Sequence, residues 1–354
     1  MSARPRVAIA AGGTAGHVVH ALAVADALAE RGAEVLFIGG DRAERELVPA
    51  GGYRFEQLSV SALHRRNPLR AARSLWRAAL AIGHARRLLR SEHIDVVLGG
   101  GGYVAGPVAL AAWTRRIPFV LTEADSHLGL TNRVLAPLAR RVCLAFPIAG
   151  RRGRRYRVTG RPVAPVNTDR NASREAFGIE AWEQCVLVFG GSLGSRTINE
   201  AALDGLDGAS FRVLHVTGVR DWPTLAARRR SPGYDLREYL DRRSFGQALA
   251  ACDLVVARAG GSIFEIAAYG RAAILVPYPD ASADHQRANA AWMERAGAAV
   301  VLDDRECTGP HLAAEVGRLI GDSARLAAMG RAAHALARPD AAVAVATIVL
   351  AAAA

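Results

Sequence analysis

The residues best placed to do chemistry lie in two glycine-rich turns and one crowded loop. The first turn is Gly12-Gly13-Thr14-Ala15-Gly16-His17, directly after the apolar run Val7 to Ala11. Glycine lets a backbone approach an anion closely, and the helix that follows offers N–H groups with no partner of their own. His17 adds a titratable ring at the helix start, able to accept a proton near pH 7. The second turn, Gly190-Gly191-Ser192-Leu193-Gly194-Ser195, follows the apolar run Val186 to Phe189 and offers a similar cradle. The third cluster is the run 258–289, where Gly260, Gly261 and Ser262 open a helix with Glu265 in its first turns. Asp284, His285, Gln286 and Asn289 then crowd one loop and helix start. A helix start can take a pyrophosphate on its N–H groups, a carboxylate can accept two ribose hydroxyls, and amide and imidazole groups suit a sugar. Each feature also has a plainer reading: tight strand-to-helix turns, an acidic residue near a helix N-terminus, a capping histidine.

These clusters need a scaffold, and the apolar pattern supplies one. In the first half, strand-like runs at Val7 to Ala11, Val35 to Ile38, Asp95 to Leu98, Phe119 to Thr122 and Val142 to Ala145 alternate with helical stretches. After the basic segment 151–157 and the proline-bearing VTGRPVAPV at 158–166, the pattern restarts with Val186 to Phe189, Arg212 to Thr217, Leu254 to Ala257 and Ala273 to Pro277. Such alternation predicts βαβ units and parallel sheets. The fold class is therefore α/β, with two doubly wound domains whose ligands bind beyond the carboxyl ends of the strands. The expected divisions are a first domain at 1–158, a linker at 159–166, a second domain at 167–335 and a C-terminal helix at 336–354. Whether that helix returns to the first domain is open. A cleft between the domains is the default site.

Composition narrows the function. A chain of 354 residues is long for one domain, and an apolar fraction of 51% suffices for two cores. The formal charge of +12 rests entirely on arginine, since no lysine is present. That excludes a P-loop lysine and Schiff-base chemistry. The surplus suits phosphate-rich or anionic-membrane partners. Cys143, Cys185, Cys252 and Cys307 form no C-x-x-C pair, so neither a zinc knuckle nor a disulfide framework is signalled. The start lacks a signal-peptide core, and the apolar tail 341–354 is shorter than the roughly 20 residues a bilayer needs. Along 66–90, Arg66, Arg70, Arg73, Arg77 and His84 share one helical face while Ala72, Leu75, Trp76 and Ala79 share another. A basic stripe beside a Trp-bearing apolar face suits an anionic membrane surface, or else a surface helix packed on the sheet. A nicotinamide enzyme competes through Asp41 after the second strand, but GGTAGH lacks the G-x-G-x-x-G spacing.

GGTAGHVVHALAVA at 12–25, GGYVAGP at 101–107, GGSLGS at 190–195 and the Ser262–Glu265 to His285–Gln286–Asn289 run occur in one order across nearly the whole chain. Together they resemble the MurG family of peptidoglycan GlcNAc transferases. The resemblance implies a GT-B fold of two Rossmann-like domains and an inverting, metal-free, cofactor-free transfer of GlcNAc from UDP-GlcNAc. The acceptor would be lipid I, the undecaprenyl-linked muramyl peptide. The enzyme would sit peripherally on the anionic cytoplasmic face of the membrane, with no nucleic-acid partner. Carried over by position, Ser192 and Gly194 would meet the donor phosphate, Glu265 the ribose, and Leu240 the uracil through its backbone. His285 and Gln286 would hold the GlcNAc hydroxyls. Thr14, Gly16, Arg258, Gly261, Ser262 and Asn289 complete the donor set. Gly12, Gly13, Gly102, Tyr103, Gly106 and Glu123 would serve the acceptor, and Trp113 would join Leu75 and Trp76 at the membrane.

The chain departs from the family pattern at three places. Ala15 replaces a glycine. The usual E-Q-N reads EAD at 123–125, so Asp125 stands where an amide is expected. RPVA at 161–164 places Ala164 where an arginine contacts phosphate, with Arg161 three positions earlier. For the base that takes the muramyl hydroxyl proton, His17 is the first candidate and Asp125 its rival, as base or as the group that orients His17. In a third reading His17 only positions the acceptor diphosphate. Two further functions stay open: a related GT-B enzyme acting on another lipid or antibiotic acceptor, and a catalytically silent UDP-sugar binder.

Overall fold

A computed structural model describes residues 4–12, 15–60, 68–228, 230–281 and 284–354, with the backbone alone at 15–17 and 68–78. The chain forms two compact units, Met1–Val163 with Arg338–Ala354, and Ala164–Ala337.

The first unit contains β1 (Arg6–Ala11), α1 (Ala15–Ala29), β2 (Glu34–Gly39), α2 (Ala43–Ala50), β3 (Arg54–Gln57) and α3 (Pro68–Ser91). It continues with β4 (Val96–Gly101), α4 (Ala105–Thr114), β5 (Phe119–Glu123), α5 (Leu130–Leu135), β6 (Arg141–Leu144) and β7 (Tyr156–Val158). Its strands run parallel in the order β3-β2-β1-β4-β5-β6-β7. The order reverses between β1 and β4, which opens a crevice beyond their carboxyl ends. The central strands are buried because both faces are covered by helices, so their apolar runs are continuous. β4 extends three residues further than the apolar run predicts, through Gly99, Gly100 and Gly101. A β-carbon on Gly99 would come within 2.7 Å of the Leu121 side chain, so the bare backbone is what lets β5 pack there. The β1–β4 register also shifts between Ala10 and Ala11, re-aiming the strand ends beside the turn.

The second unit contains α6 (Arg170–Glu175), β8 (Cys185–Phe189), α7 (Arg196–Gly205), β9 (Arg212–Val216), α8 (Trp222–Leu225), β10 (Tyr234–Arg237) and α9 (Arg242–Ala251). Then come β11 (Leu254–Ala257), α10 (Ile263–Ala268), β12 (Ala272–Leu275), α11 (His285–Arg295), β13 (Ala299–Val301), α12 (Gly309–Ile320) and α13 (Ser323–Leu336). Strand order is β10-β9-β8-β11-β12-β13, again parallel, with the reversal between β8 and β11. Both the 190–195 turn and the 258–262 turn therefore lie at this reversal.

The last helix, α14 (Ala341–Ala353), belongs to the first unit, where Val345, Ala346 and Val349 are buried in the core formed with α1 and the sheet. Taken as one span, 323–353 has the length and hydropathy to cross a bilayer. It is instead two helices of 14 and 13 residues separated at 337–340. In α3 the buried face is Ala81, Ala85 and Leu89, spaced one helical turn apart, while Ala79 and Leu80 are exposed. The side chains of Leu75 and Trp76 lie outside the described residues.

Candidate functional site

At the first reversal the two glycine turns meet. Gly102 has φ +80°, and a β-carbon there would lie 1.8 Å from the carbonyl oxygen of Gly12. Gly12 is closed in on its other side as well, since a β-carbon on it would lie 2.7 Å from Glu44 Oε1. Glu44, buried on α2, accepts from the Gly40 N–H (2.8 Å) and from the Tyr103 hydroxyl (3.4 Å). Burial, then the Glu44 charge, raises the Tyr103 hydroxyl above its usual range, and Arg42 lies 5.4 Å over its ring. Tyr103, expected at the acceptor, also links the turn to α2 through this bond. Gly106 sits in the first turn of α4, 3.2 Å (from its β position) from the Thr131 methyl. Gly16 and His17 occupy the first turn of α1. Gly13, Thr14 and the His17 side chain lie outside the described residues.

Glu123 ends β5 and is buried. Its Oε2 accepts from the Gly129 N–H (2.8 Å) and Asn132 Nδ2 (2.9 Å), and its Oε1 from the Asp125 N–H (3.2 Å). Desolvation dominates and raises its pKa, even though these three bonds favour the charged form. The carboxylate expected at the acceptor also clamps the 124–129 loop, on which Asp125 is half-buried. A cavity of about 10 Å³ beside it is lined by His20, Thr122, Cys143 and Arg161 among others. His20, which the motif reading passes over, is buried with Nε2 2.9 Å from the Gly100 carbonyl. Arg161, considered as a replacement for an arginine at Ala164, belongs to the first unit, whereas Ala164 opens the second.

In the second unit Gly194 repeats the close approach: with φ +79°, its β-carbon would lie 1.9 Å from the Thr217 carbonyl oxygen. Ser195 caps α7 by accepting from the Ile198 N–H (3.4 Å), and Ser192 and Leu193 stand exposed on the turn. The turn that exposes Ser192 leads into the ten-residue α7, and the N–H groups at a helix start together with a hydroxyl make a donor set suited to phosphate oxygens. Leu240 has a buried side chain and precedes the Asp241 cap of α9, so only its backbone could serve a ligand.

The 258–289 run is more structural than its residue types suggest. Arg258 is buried, donates to the Val276 (3.1 Å) and Pro277 (3.2 Å) carbonyls and pairs with Asp304. Gln286 accepts from the Tyr278 N–H (3.0 Å) through Oε1. Asn289 is buried and donates to the Ala259 carbonyl (3.0 Å). These three side chains fasten the Gly260–Ser262 turn, the β12 exit and α11 to one another. Gly261, Ser262 and Glu265 open the six-residue α10, and His285 begins α11 behind Asp284, whose φ is +53°. Among the described residues no three His, Cys, Asp or Glu side chains group at metal-ligand spacing.

Away from both reversals, Trp113 is 49% exposed at the end of α4. It lines an open pocket of about 580 Å³ at the amino ends of β5 and β6, with Leu138, Arg116, Arg140, Arg141, Arg154 and Arg155 and no carboxylate.

Residues 7–144 match the glycosyltransferase family 28 N-terminal domain and residues 185–345 its C-terminal domain. The UDP-N-acetylglucosamine–N-acetylmuramyl-(pentapeptide) pyrophosphoryl-undecaprenol N-acetylglucosamine transferase of Moorella thermoacetica is 41% identical over 364 residues, 98% of each chain. Its counterpart in Halorhodospira halophila is 41% identical over 350 residues, 97% of each. The crystal structure of Acinetobacter baumannii MurG covers 98% of this chain and 99% of its own, with a TM-score of 0.75 at 28% identity. The kitacinnamycin glycotransferase, 17% identical over 98% of this chain and 100% of its own with a TM-score of 0.71, shares the fold. With a GT-B fold, both domain matches and 41% identity over nearly its full length, the chain belongs to glycosyltransferase family 28, in its MurG branch.

Proposed function

We propose that the protein transfers GlcNAc from UDP-GlcNAc to the muramyl 4-hydroxyl of lipid I, giving lipid II and UDP. The observation that carries this reading is the 41% identity, through both domains, to transferases named for that reaction. The hydroxyl oxygen forms its bond to the anomeric carbon as the bond from that carbon to the UDP oxygen breaks, with inversion. The hydroxyl proton passes to His17, whose place in the first turn of α1 favours the neutral, proton-accepting ring. Asp125, on the loop that Glu123 shapes, is the rival base or the group that orients His17. The charge gathering on UDP is met without metal by the amino end of α7 and Ser192. The Gly12 and Gly102 turn would cradle the acceptor pyrophosphate, and the second-unit reversal would hold the donor.

We assign the Trp113 surface to the cytoplasmic face of the membrane, where an exposed indole can enter the interface and arginines can meet anionic headgroups. The test is UDP release from UDP-GlcNAc and a lipid I analogue, with and without chelator. No release sinks the transferase reading, and UDP-GlcNAc binding without release would mark a silent binder. Chelator-sensitive release would sink the metal-free mechanism. Near-normal turnover in His17→Ala with none in Asp125→Ala would reverse the two roles.

A further inference from the structure

Beneath the 190–195 turn lies a line of buried polar side chains that no expected ligand contact uses. His215 on β9, Thr217 at its end and Asn199 on α7 are all fully buried. His215 Nδ1 is 2.8 Å from the Tyr234 hydroxyl on β10, and Nε2 is 3.0 Å from Asn199 Oδ1. Asn199 Nδ2 donates twice, to the Thr217 carbonyl (3.0 Å) and to Asp221 Oδ2 (2.9 Å). Asp221 is in turn paired with Arg220 at 3.0 Å, which with Asn199 holds it below the ordinary carboxylate range.

One placement of protons satisfies every member. Both amide hydrogens of Asn199 are committed, so its Oδ1 must accept, and the proton between it and His215 sits on Nε2. Nδ1 is then the acceptor for the Tyr234 O–H. The opposite tautomer would turn Asn199 Oδ1 toward the Thr217 carbonyl and the Asp221 carboxylate, facing acceptors with no proton between them. A buried clash of that kind is costly, so amide orientation and the Nε2–H tautomer are fixed together, and the ring supplies the donor that Asn199 Oδ1 needs. Burial also keeps the ring neutral.

The Thr217 carbonyl that Asn199 anchors is the atom against which the turn rests. A β-carbon on Gly194 would lie 1.9 Å from it, and one on Gly218 would lie 2.2 Å from the Gly194 nitrogen. Asn199 is also tied to the start of its helix, its N–H donating to the Ser195 carbonyl at 2.8 Å. With contacts this close, movement of Thr217 is movement of the turn.

We propose that His215 is a positioning residue for the nucleotide-sugar diphosphate: through Asn199 and the Thr217 carbonyl it holds the Gly190–Ser195 turn in its receiving geometry. The proposal rests on the reading of the second unit as the donor site. Calorimetry of the wild-type chain with UDP-GlcNAc tests that reading first, and absence of binding overturns the site and this proposal with it. Given binding, two variants separate positioning from mere packing. His215→Gln keeps a donor toward Asn199 and an acceptor toward Tyr234, whereas His215→Phe keeps bulk and loses both. The expected result for H215F is a Kd and KM for UDP-GlcNAc raised about 10-fold, with the KM for a lipid I analogue within about 2-fold of wild type. H215Q should return the donor values to within about 3-fold of wild type. Loss of folded protein alone would lower apparent kcat and leave the donor KM unmoved. An unmoved donor KM in H215F, donor and acceptor KM rising together, or H215Q no better than H215F each overturns the proposal. If H215F does not fold, Tyr234→Phe carries the test, since it removes the hydroxyl that fixes the ring through Nδ1 and leaves His215 and Asn199 in place. A severalfold rise in donor KM there supports positioning, and an unchanged value overturns it.

Discussion

Gly102 rests on Gly12 so closely that a β-carbon on the former would penetrate the carbonyl oxygen of the latter, at 1.8 Å. Two turns that are 90 positions apart in the chain thereby become one surface at the β1–β4 reversal. Gly102→Ala would meet both this clash and a left-handed φ of +80°, which alone costs a side chain about 1–2 kcal/mol. The expected outcome is loss of lipid-I-dependent turnover with UDP-GlcNAc binding retained, read by pairing the transfer assay with calorimetry. Equal loss of both would place the turn's role elsewhere.

Glu123 accepts from two backbone N–H groups of the loop that carries Asp125, those of Asp125 and Gly129, and from the Asn132 side-chain amide on α5. Glu123→Ala strands the Gly129 and Asn132 donors, with an expected stability loss of about 2–3 kcal/mol. Hydrogen exchange should quicken at 124–129 ahead of the rest of the sheet. Exchange rising uniformly across the first unit would show a general loss of packing instead.

His215 contributes a pH dependence of known sign. Burial pushes its ring down to about 3, against 6.5 when exposed, so between these values the unfolded chain binds a proton that the folded chain does not. Its contribution to stability is therefore complete above about pH 6.5 and is lost as the pH falls toward 3, by about 1.4 kcal/mol per pH unit inside that window. Denaturant titrations of wild type and His215→Gln between pH 7 and 4 should converge as the pH falls. Parallel curves would mean the ring does protonate in the folded state.

The Trp113 surface predicts salt-sensitive lipid binding. Reversing Arg140 and Arg141 to Glu should reduce cosedimentation with phosphatidylglycerol vesicles at low salt by at least about 10-fold, since each basic residue near such a surface contributes about 1 kcal/mol. Wild-type binding should weaken as salt shortens the screening length. Unchanged binding in the double reversal would move the contact to the α3 face.

Much of this was legible in residue order. The runs at β1, β5, β8 and β11 read as strands because burial on both faces demands continuous apolar side chains, and that demand is local. The edge strands β3 and β7 escaped notice, since a half-exposed edge carries Arg, Glu and Tyr and leaves no such run. The glycine motifs fall at both strand-order reversals, because glycine is favoured where φ turns positive and required where backbones touch as closely as at Gly102 and Gly194. Residue type did not separate ligand groups from clamps. Arg258, Gln286 and Asn289 have the chemistry to hold a nucleotide sugar, yet each also hydrogen-bonds a backbone group within the unit. Nor could order alone identify His215, which sits in an unremarkable strand. A hydrogen bond is decided by which distant groups share a buried space, and Asn199, His215, Thr217 and Tyr234 acquire their partners only when α7, β9 and β10 come together. Sequence thus determined the family, the inner strands and the two glycine turns through local demands on burial and backbone conformation. Tertiary structure alone decided which polar side chains remain for a ligand, because that depends on partners the chain brings from far away.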